Sequence, residues 1–234
     1  MNSKTVVIHQ PDFAPYLGFF HRFLKADLYI ALDHVQFVNG TSRAWTHRDR
    51  IKTAQGDKWL SVSVKKAPMH TPIKQIELTT TVDWRQNHLR QFKQHYGQAP
   101  FYAEILERLA PVYAQSSQRL CDFNMALNEV LMGCLDVRIP WLWSSSLAPQ
   151  GSKNEMLVDL LHKVGATHYL SGVGARDYFQ AEPFEQAGIT VLWQTFAHPC
   201  YPQQYAGFTP YLSILDLLFN QGELAARQIL RNCE

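Results

Sequence analysis

Four stretches of the chain gather polar and charged residues directly behind short apolar runs. The first holds His9, Gln10, Asp12, Tyr16 and His21, after a β-branched run from Thr5 to Ile8. An imidazole can bind phosphate or act as acid or base near neutral pH. Pro11 and Pro15 stiffen this loop, and Gly18 permits a ligand to come close. The alternative is a loop closed on its own hydrogen bonds; the density of polar groups favours function. The second stretch, Asp33, His34 and Gln36, follows Leu28 to Leu32. Asp33 can hold a hydroxyl, a ribose or a metal ion, or stand as a solvated turn residue.

The third stretch runs from Trp45 to Lys52 and is followed by Lys65 and Lys66. In an extended segment, alternation sends Arg48, Arg50 and Lys52 to one side. Aligned cations grip phosphate or carboxylate, arginine bidentately; a charged edge strand is the alternative. The fourth, Ser171-Gly172-Val173-Gly174-Ala175-Arg176-Asp177-Tyr178, opens a helix or turn after a strand-like run. Small residues there let backbone N–H groups approach an anion, and Arg176 adds charge. A tight turn with an exposed arginine is the alternative. Lys153 can reach the same region. The expected catalytic groups are His9, Asp12, His21 and Asp33. The expected substrate and anion contacts are Gln10, Tyr16, Gln36, Arg48, Arg50, Lys52, Lys153, Ser171, Gly172 and Arg176.

Other chemistries are discounted. The stretch at Ser171 is neither a Walker loop nor a GxGxxG fingerprint, and no GxSxG elbow is present. Cys121 and Cys134 share one expected helix, roughly 20 Å apart at ~1.5 Å per residue, too far to bridge. No cysteine–histidine cluster has zinc spacing, so no permanent metal is expected. A net charge of +2 argues for neither nucleic acid nor an anionic membrane. No apolar run nears the ~20 residues that span a bilayer, and the amino-terminal residues lack a signal core. The expected location is cytoplasmic.

The elements that must position these groups read as α/β. A length of 234 residues with 46% hydrophobic content supports one domain with a sizeable core. Strands at Thr5–Ile8 and Leu28–Leu32 flank a helix over Leu17–Leu24, whose inner face carries Phe20, Phe23 and Leu24. That is a βαβ unit and implies a parallel sheet. Arg50–Thr53 and Trp59–Val64 form an antiparallel hairpin, with Ile73–Leu78 as a further strand, in an insertion over about 44–80. Helices follow at Asp83–Tyr96, capped by Asp83, at Phe101–Tyr113, bent near Pro111, and at Ser117–Leu135, within a helical segment over about 83–136. Strands at Trp141–Ser144, Thr167–Leu170 and Ile189–Gln194 then alternate with a helix at Ser152–Lys163. Helices at Leu212–Phe219 and Glu223–Leu230 close the chain. The whole predicts a Rossmann-like, mostly parallel sheet with a hairpin insertion and a helical middle.

The motifs His9-Gln10-Pro11, Pro15-Tyr16-Leu17-Gly18-Phe19-Phe20, Asp33-His34-Val35-Gln36-Phe37, Arg48-Asp49-Arg50-Ile51-Lys52-Thr53 and Trp59-Leu60-Ser61-Val62 together resemble the WbqC-like proteins. So do Tyr169-Leu170-Ser171-Gly172 and Pro210 to Asn220. The likeness runs in order over nearly the whole chain. It implies a bacterial enzyme of surface-polysaccharide (O-antigen) or related small-molecule metabolism, with transfer of glycine or another amino acid to a sugar as the proposed reaction. It supplies no catalytic residue. A fainter likeness, through Gly18-Phe19-Phe20-His21 and Ser171-Gly172, is to nucleotidyltransferases and synthetases with an HxGH motif, although HxGH itself is not present.

The leading expectation is an acyl or aminoacyl transferase acting on a nucleotide-activated or phosphorylated small molecule. A nucleotidyltransferase-like or adenylate-forming enzyme stays open, as does a non-catalytic nucleotide-sugar-binding or assembly protein. ATP or another nucleotide is the cofactor these readings allow. The partner is an anionic small molecule, and exposed apolar helices allow a homodimer.

Overall fold

The computed structural model describes residues 3–41 and 44–233. Strand β1 (Thr5–His9) leads through a polar loop into the short helix α1 (Leu17–His21), a 3-10 turn (Arg22–Lys25) and strand β2 (Leu28–Ala31). The antiparallel pair β3 (Arg48–Thr53) and β4 (Gly56–Ser61) comes next. Helices α2 (Trp84–Tyr96), α3 (Tyr102–Ala114) and α4 (Leu120–Cys134) form the middle. Then follow β5 (Trp141–Trp143), α5 (Lys153–Lys163), β6 (His168–Ser171), α6 (Glu182–Gln186), β7 (Thr190–Trp193) and α7 (Ile214–Arg231).

The main sheet is parallel, in the order β5-β2-β1-β6-β7. Its inner strands β1, β2 and β6 are buried on both faces, as βαβ crossovers require, and the edge strands β5 and β7 are only partly covered. Alternation divides them: Val7, Tyr29 and Leu170 face one apolar cluster, and Val6, Ile8, Leu28, Ile30 and Tyr169 the other. Chain order reverses between β1 and β6, because β2 and β5 lie on one side of β1 and β6 and β7 on the other.

Local signals place most elements where the sequence puts them. Asp83 accepts a hydrogen bond from the Gln86 N–H at 3.0 Å and starts α2 as its cap. The hairpin turns at Ala54-Gln55 and enters β4 through Gly56, at φ +112°. The two closing helices are one element kinked at Gly222 (φ 71°), where the Phe101 ring lies 2.5 Å from the place a Cβ would occupy.

Two expectations change. Residues 73–78 do not form a strand along the hairpin. Their backbone hydrogen bonds go to scattered partners: Ile73 N–H to the Val35 carbonyl, Lys74 N–H to the Asp33 carbonyl and Leu78 N–H to the Gln118 carbonyl. The result is a 3-10 turn (Ile73–Gln75) followed by isolated bridges. The inner face near α1 also differs. Leu24 is 37% exposed, whereas Arg22 is 4% exposed and packs inward beside Phe19 and Phe23. The tightening from α to 3-10 after His21 rotates the stripe by that much.

Candidate functional site

Strands β1 and β6 are hydrogen-bonded partners only at Thr5/His168 and Val6/Tyr169. Each continues beyond this point beside its other neighbour, β1 to His9 against Ala31 and β6 to Ser171 against Trp193. The sheet therefore parts at its carboxyl edge where strand order reverses. Open α/β sheets bind ligands at this kind of crevice.

The β1 loop lines one side. His9 Nδ1 lies 3.0 Å from the Gln10 carbonyl oxygen, which can only accept. That fixes the proton on Nδ1 and leaves the lone pair on Nε2. About a third of the His9 side chain, 34%, is open, and its ring meets Phe19 edge-on at 5.3 Å. Burial, and secondarily the Arg22 guanidinium, hold its pKa well below 6.5, against the Gln10 contact that raises it. Asp12 Oδ2 is 3.5 Å from His9 Nδ1. Asp12 is buried, which pushes its carboxyl up to about 7 despite the Thr46 hydroxyl 3.3 Å away and the nearby Arg22. Both partners thus favour their neutral forms, and the contact is not a resting ion pair. The Thr46 hydroxyl also reaches Gln10 Oε1, at 3.1 Å. Tyr16 meets Tyr211 and Phe196 edge-on at the rim, and its ring fills the space a Cβ at Gly18 would need.

Arg22 spans the floor. Its terminal nitrogen lies 3.5 Å from the Cβ position of Gly172, at the β6 edge, and its guanidinium sits 5.5 Å from the centre of the Phe19 ring. Among the described residues it makes no ion pair, and its buried Nε finds no hydrogen-bond partner. Gln194, directly after β7, donates to the Gly18 carbonyl at 2.8 Å and lies 3.3 Å from His21 Nδ1. Ser171 is buried beside Gly172. His9, Asp12 and Tyr16 on the β1 side and Gly172 on the β6 side therefore gather about Arg22, while His21 is buried against Phe196 and Gln194.

The remaining expected residues lie elsewhere or are engaged. Asp33 Oδ1 accepts from the Ser144 hydroxyl and the Ser145 N–H, and its Oδ2 accepts from the Ser145 hydroxyl at 2.6 Å. It ties β2 to β5. Gln36 contacts His70 on the surface. Arg48, Arg50 and Lys52 do share one side of β3, but local partners separate them. Arg48 lies over Trp59 and donates to the Thr41 carbonyl. Arg50 pairs with Asp57 at 2.9 Å and reaches the Tyr211 carbonyl, so it stands at the outer rim. Lys52 is buried and donates to Gln203 Oε1 and the Gly207 carbonyl. Arg176 is exposed over Trp193, and Lys153 is exposed at the start of α5. Surface cavities of about 470 Å3, beside Arg138 and Trp141, and about 500 Å3, beside Phe179 and Trp193, include no residue of the β1 loop.

Three contributors escaped the sequence reading. Arg22 carries a weak signal, a cation at the i+3 position of the Phe19–Phe23 stripe. Asn124 and Asn128 on α4 carry none. The Asn124 amide donates to the carbonyls of Pro11, at 2.7 Å, and Thr46, at 2.6 Å, and Asn128 donates to that of Asp12 at 3.0 Å. They hold the β1 loop from behind. No group of metal-ligating side chains is present among the described residues.

A Rossmann-like α/β protein whose polar loops meet at the switch point is the class this geometry defines. The WbqC-like protein family model matches residues 10–228. The uncharacterised protein Rv1507c of Mycobacterium tuberculosis is 35% identical over 235 residues, spanning 98% of this chain and 99% of its own. The chain belongs to the WbqC-like protein family. No solved structure matches it. No helix among the described residues is long and apolar enough to cross a membrane.

Proposed function

We propose that this protein transfers an acyl or aminoacyl group, glycine among them, to an amino sugar carried as a phosphate or nucleotide derivative in bacterial surface-polysaccharide (O-antigen) synthesis. The observation that carries the reading is the His9–Asp12 pair at the crevice mouth. The imidazole is neutral, and its Nε2 is free to take a proton from the acidic ammonium that forms as an amine adds to an acyl carbon. The Asp12 carboxyl 3.5 Å from Nδ1, when ionised, steadies the imidazolium that forms. The acceptor amine attacks the acyl carbon of an activated donor. His9 Nε2 takes the amine proton as the C–N bond forms. The tetrahedral intermediate then expels the donor's leaving group, which receives that proton. Gln10 and Tyr16 orient the acceptor.

A second reading is nucleotidyl transfer or adenylate formation, with ATP or another nucleotide in the crevice. The strand order favours it. Taken along the chain, the sheet strands lie third, second, first, fourth, fifth, an arrangement that binds nucleotides at its switch point.

The test is a thermal-shift screen with nucleotides, nucleotide sugars and amino acids, followed by mass analysis of products from every pair that binds. A new amide on the sugar supports acyl transfer, and release of pyrophosphate supports the second reading. Binding without turnover in every pair refutes both and leaves a nucleotide-sugar-binding protein.

A further inference from the structure

Arg22 is a permanently charged group at the floor of a parted sheet, with its counter-charge missing. Its relative exposure is 4%, yet among the described residues no carboxylate lies within ion-pair distance and its Nε has no partner. Asp12, the acid of the β1 loop, interacts with Arg22 only at longer range, and burial holds that carboxyl toward its neutral form. A guanidinium withdrawn from water and left unpaired is unfavourable unless something else solvates it. On the β6 side the guanidinium faces a residue without a side chain. Gly172 presents no side chain toward the guanidinium, and its φ of −73° is open to any residue, so backbone strain does not demand glycine there. The Arg22 charge is felt by both the His9 imidazole and the Tyr16 hydroxyl.

We infer that Arg22 grips a phosphoryl group of the substrate in the crevice between β1 and β6, opposite Gly172. The inference rests on the crevice being the substrate site and adds the chemical class of what enters it. A guanidinium presents a planar fork of donors that matches two phosphoryl oxygens. The cations on β3, by contrast, are spoken for: Arg50 by Asp57 and Lys52 by Gln203 and Gly207. A phosphoryl group on Arg22 sets the reacting part of the molecule beside His9, which places phosphate and chemistry in one crevice.

The experiment measures binding of inorganic phosphate, pyrophosphate and ADP, with acetate and glycine as carboxylate controls, by calorimetry and thermal shift. The variants are Arg22→Gln, Arg22→Lys, Gly172→Ala and Asp12→Asn. The full-length protein binds at least one phosphate probe, and Arg22→Gln weakens it by about thirtyfold or more. Arg22→Lys retains part of the affinity. Gly172→Ala, whose methyl occupies the space opposite the guanidinium, weakens binding by about tenfold, a loss of about 1.4 kcal/mol, while the fold stays intact. A ligand-binding role also requires that Arg22→Gln leave the ligand-free protein as stable as the natural one or more so; a purely structural arginine would lower its melting temperature. Asp12→Asn keeps phosphate binding, and a natural protein that binds phosphate but transfers no acyl group counts against the acyl-transfer reading alone. The inference is overturned if no phosphate probe binds at millimolar concentration, if acetate or glycine binds instead, or if Arg22→Gln binds phosphate like the natural protein.

Discussion

Replacing Asp12 with asparagine preserves the shape of the side chain and the oxygen that accepts from Thr46, and removes only the titration. Burial raises the Asp12 carboxyl from its ordinary value of 3.8 to about 7. A raised acid binds its proton more tightly in the folded state than in the unfolded one. Its contribution to stability is therefore complete below pH 4 and is lost as pH rises through 7. Each tenfold in that proton equilibrium is worth about 1.4 kcal/mol, so the loss between pH 4 and pH 8 is up to about 4 kcal/mol. For a chain of this size about 1 kcal/mol moves the melting temperature by about 2–4 °C. Asp12→Asn has no such loss. Its stability relative to the natural protein should climb from pH 4 to about pH 7 and level off above, the difference growing by up to about 4 kcal/mol. Urea titrations of both proteins at intervals across that range measure the difference directly, and other titrating groups cancel between them. Parallel stability curves would show that the Asp12 carboxyl is ionised at no greater free energy than in water, and a neutral Asp12 beside His9 would have to be abandoned.

Other substitutions probe the frame around the crevice. Asn124→Ala strands the Pro11 and Thr46 carbonyls in a buried place; a loss of about 2–4 kcal/mol in urea unfolding is expected from two unpaired acceptors, and an unchanged midpoint would remove its role in holding the loop. Gly222→Ala brings a methyl against the Phe101 ring at a left-handed φ of 71°; destabilisation of at least about 1 kcal/mol is expected by calorimetry. Asp33→Ala leaves the Ser144 and Ser145 donors without acceptors; a loss of about 3 kcal/mol in stability is expected, and Asp33→Ala molecules that remain folded should bind ligand normally. Arg176→Ala touches one exposed stacking contact on Trp193; stability should stay within about 0.5 kcal/mol and phosphate affinity should not move.

Much of the frame is written locally. The β-branched run at Thr5–Ile8, the Asp83 cap and the Ala54-Gln55 turn each depend on neighbours within a few residues, and each forms where local chemistry places it. The parallel sheet follows from strands alternating with helices. The crowding of polar groups from His9 to Tyr16 behind a buried strand is likewise legible.

Which charges meet was settled by contacts between distant parts of the chain. Asp33 is claimed by Ser144 and Ser145, more than a hundred residues away, and Lys52 by Gln203 and Gly207. Residue type marks all of these groups as able to do chemistry, but hydrogen-bond satisfaction in a buried place consumes some of them as structure. Arg22 is the converse case. Its neighbours in sequence are apolar and helical, and only the fold of distant strands brings Gly172 to its guanidinium. Periodicity along a chain records which face of an element is buried; it carries no record of what stands on the other side, and that is what turns an inward-facing arginine into the floor of a crevice.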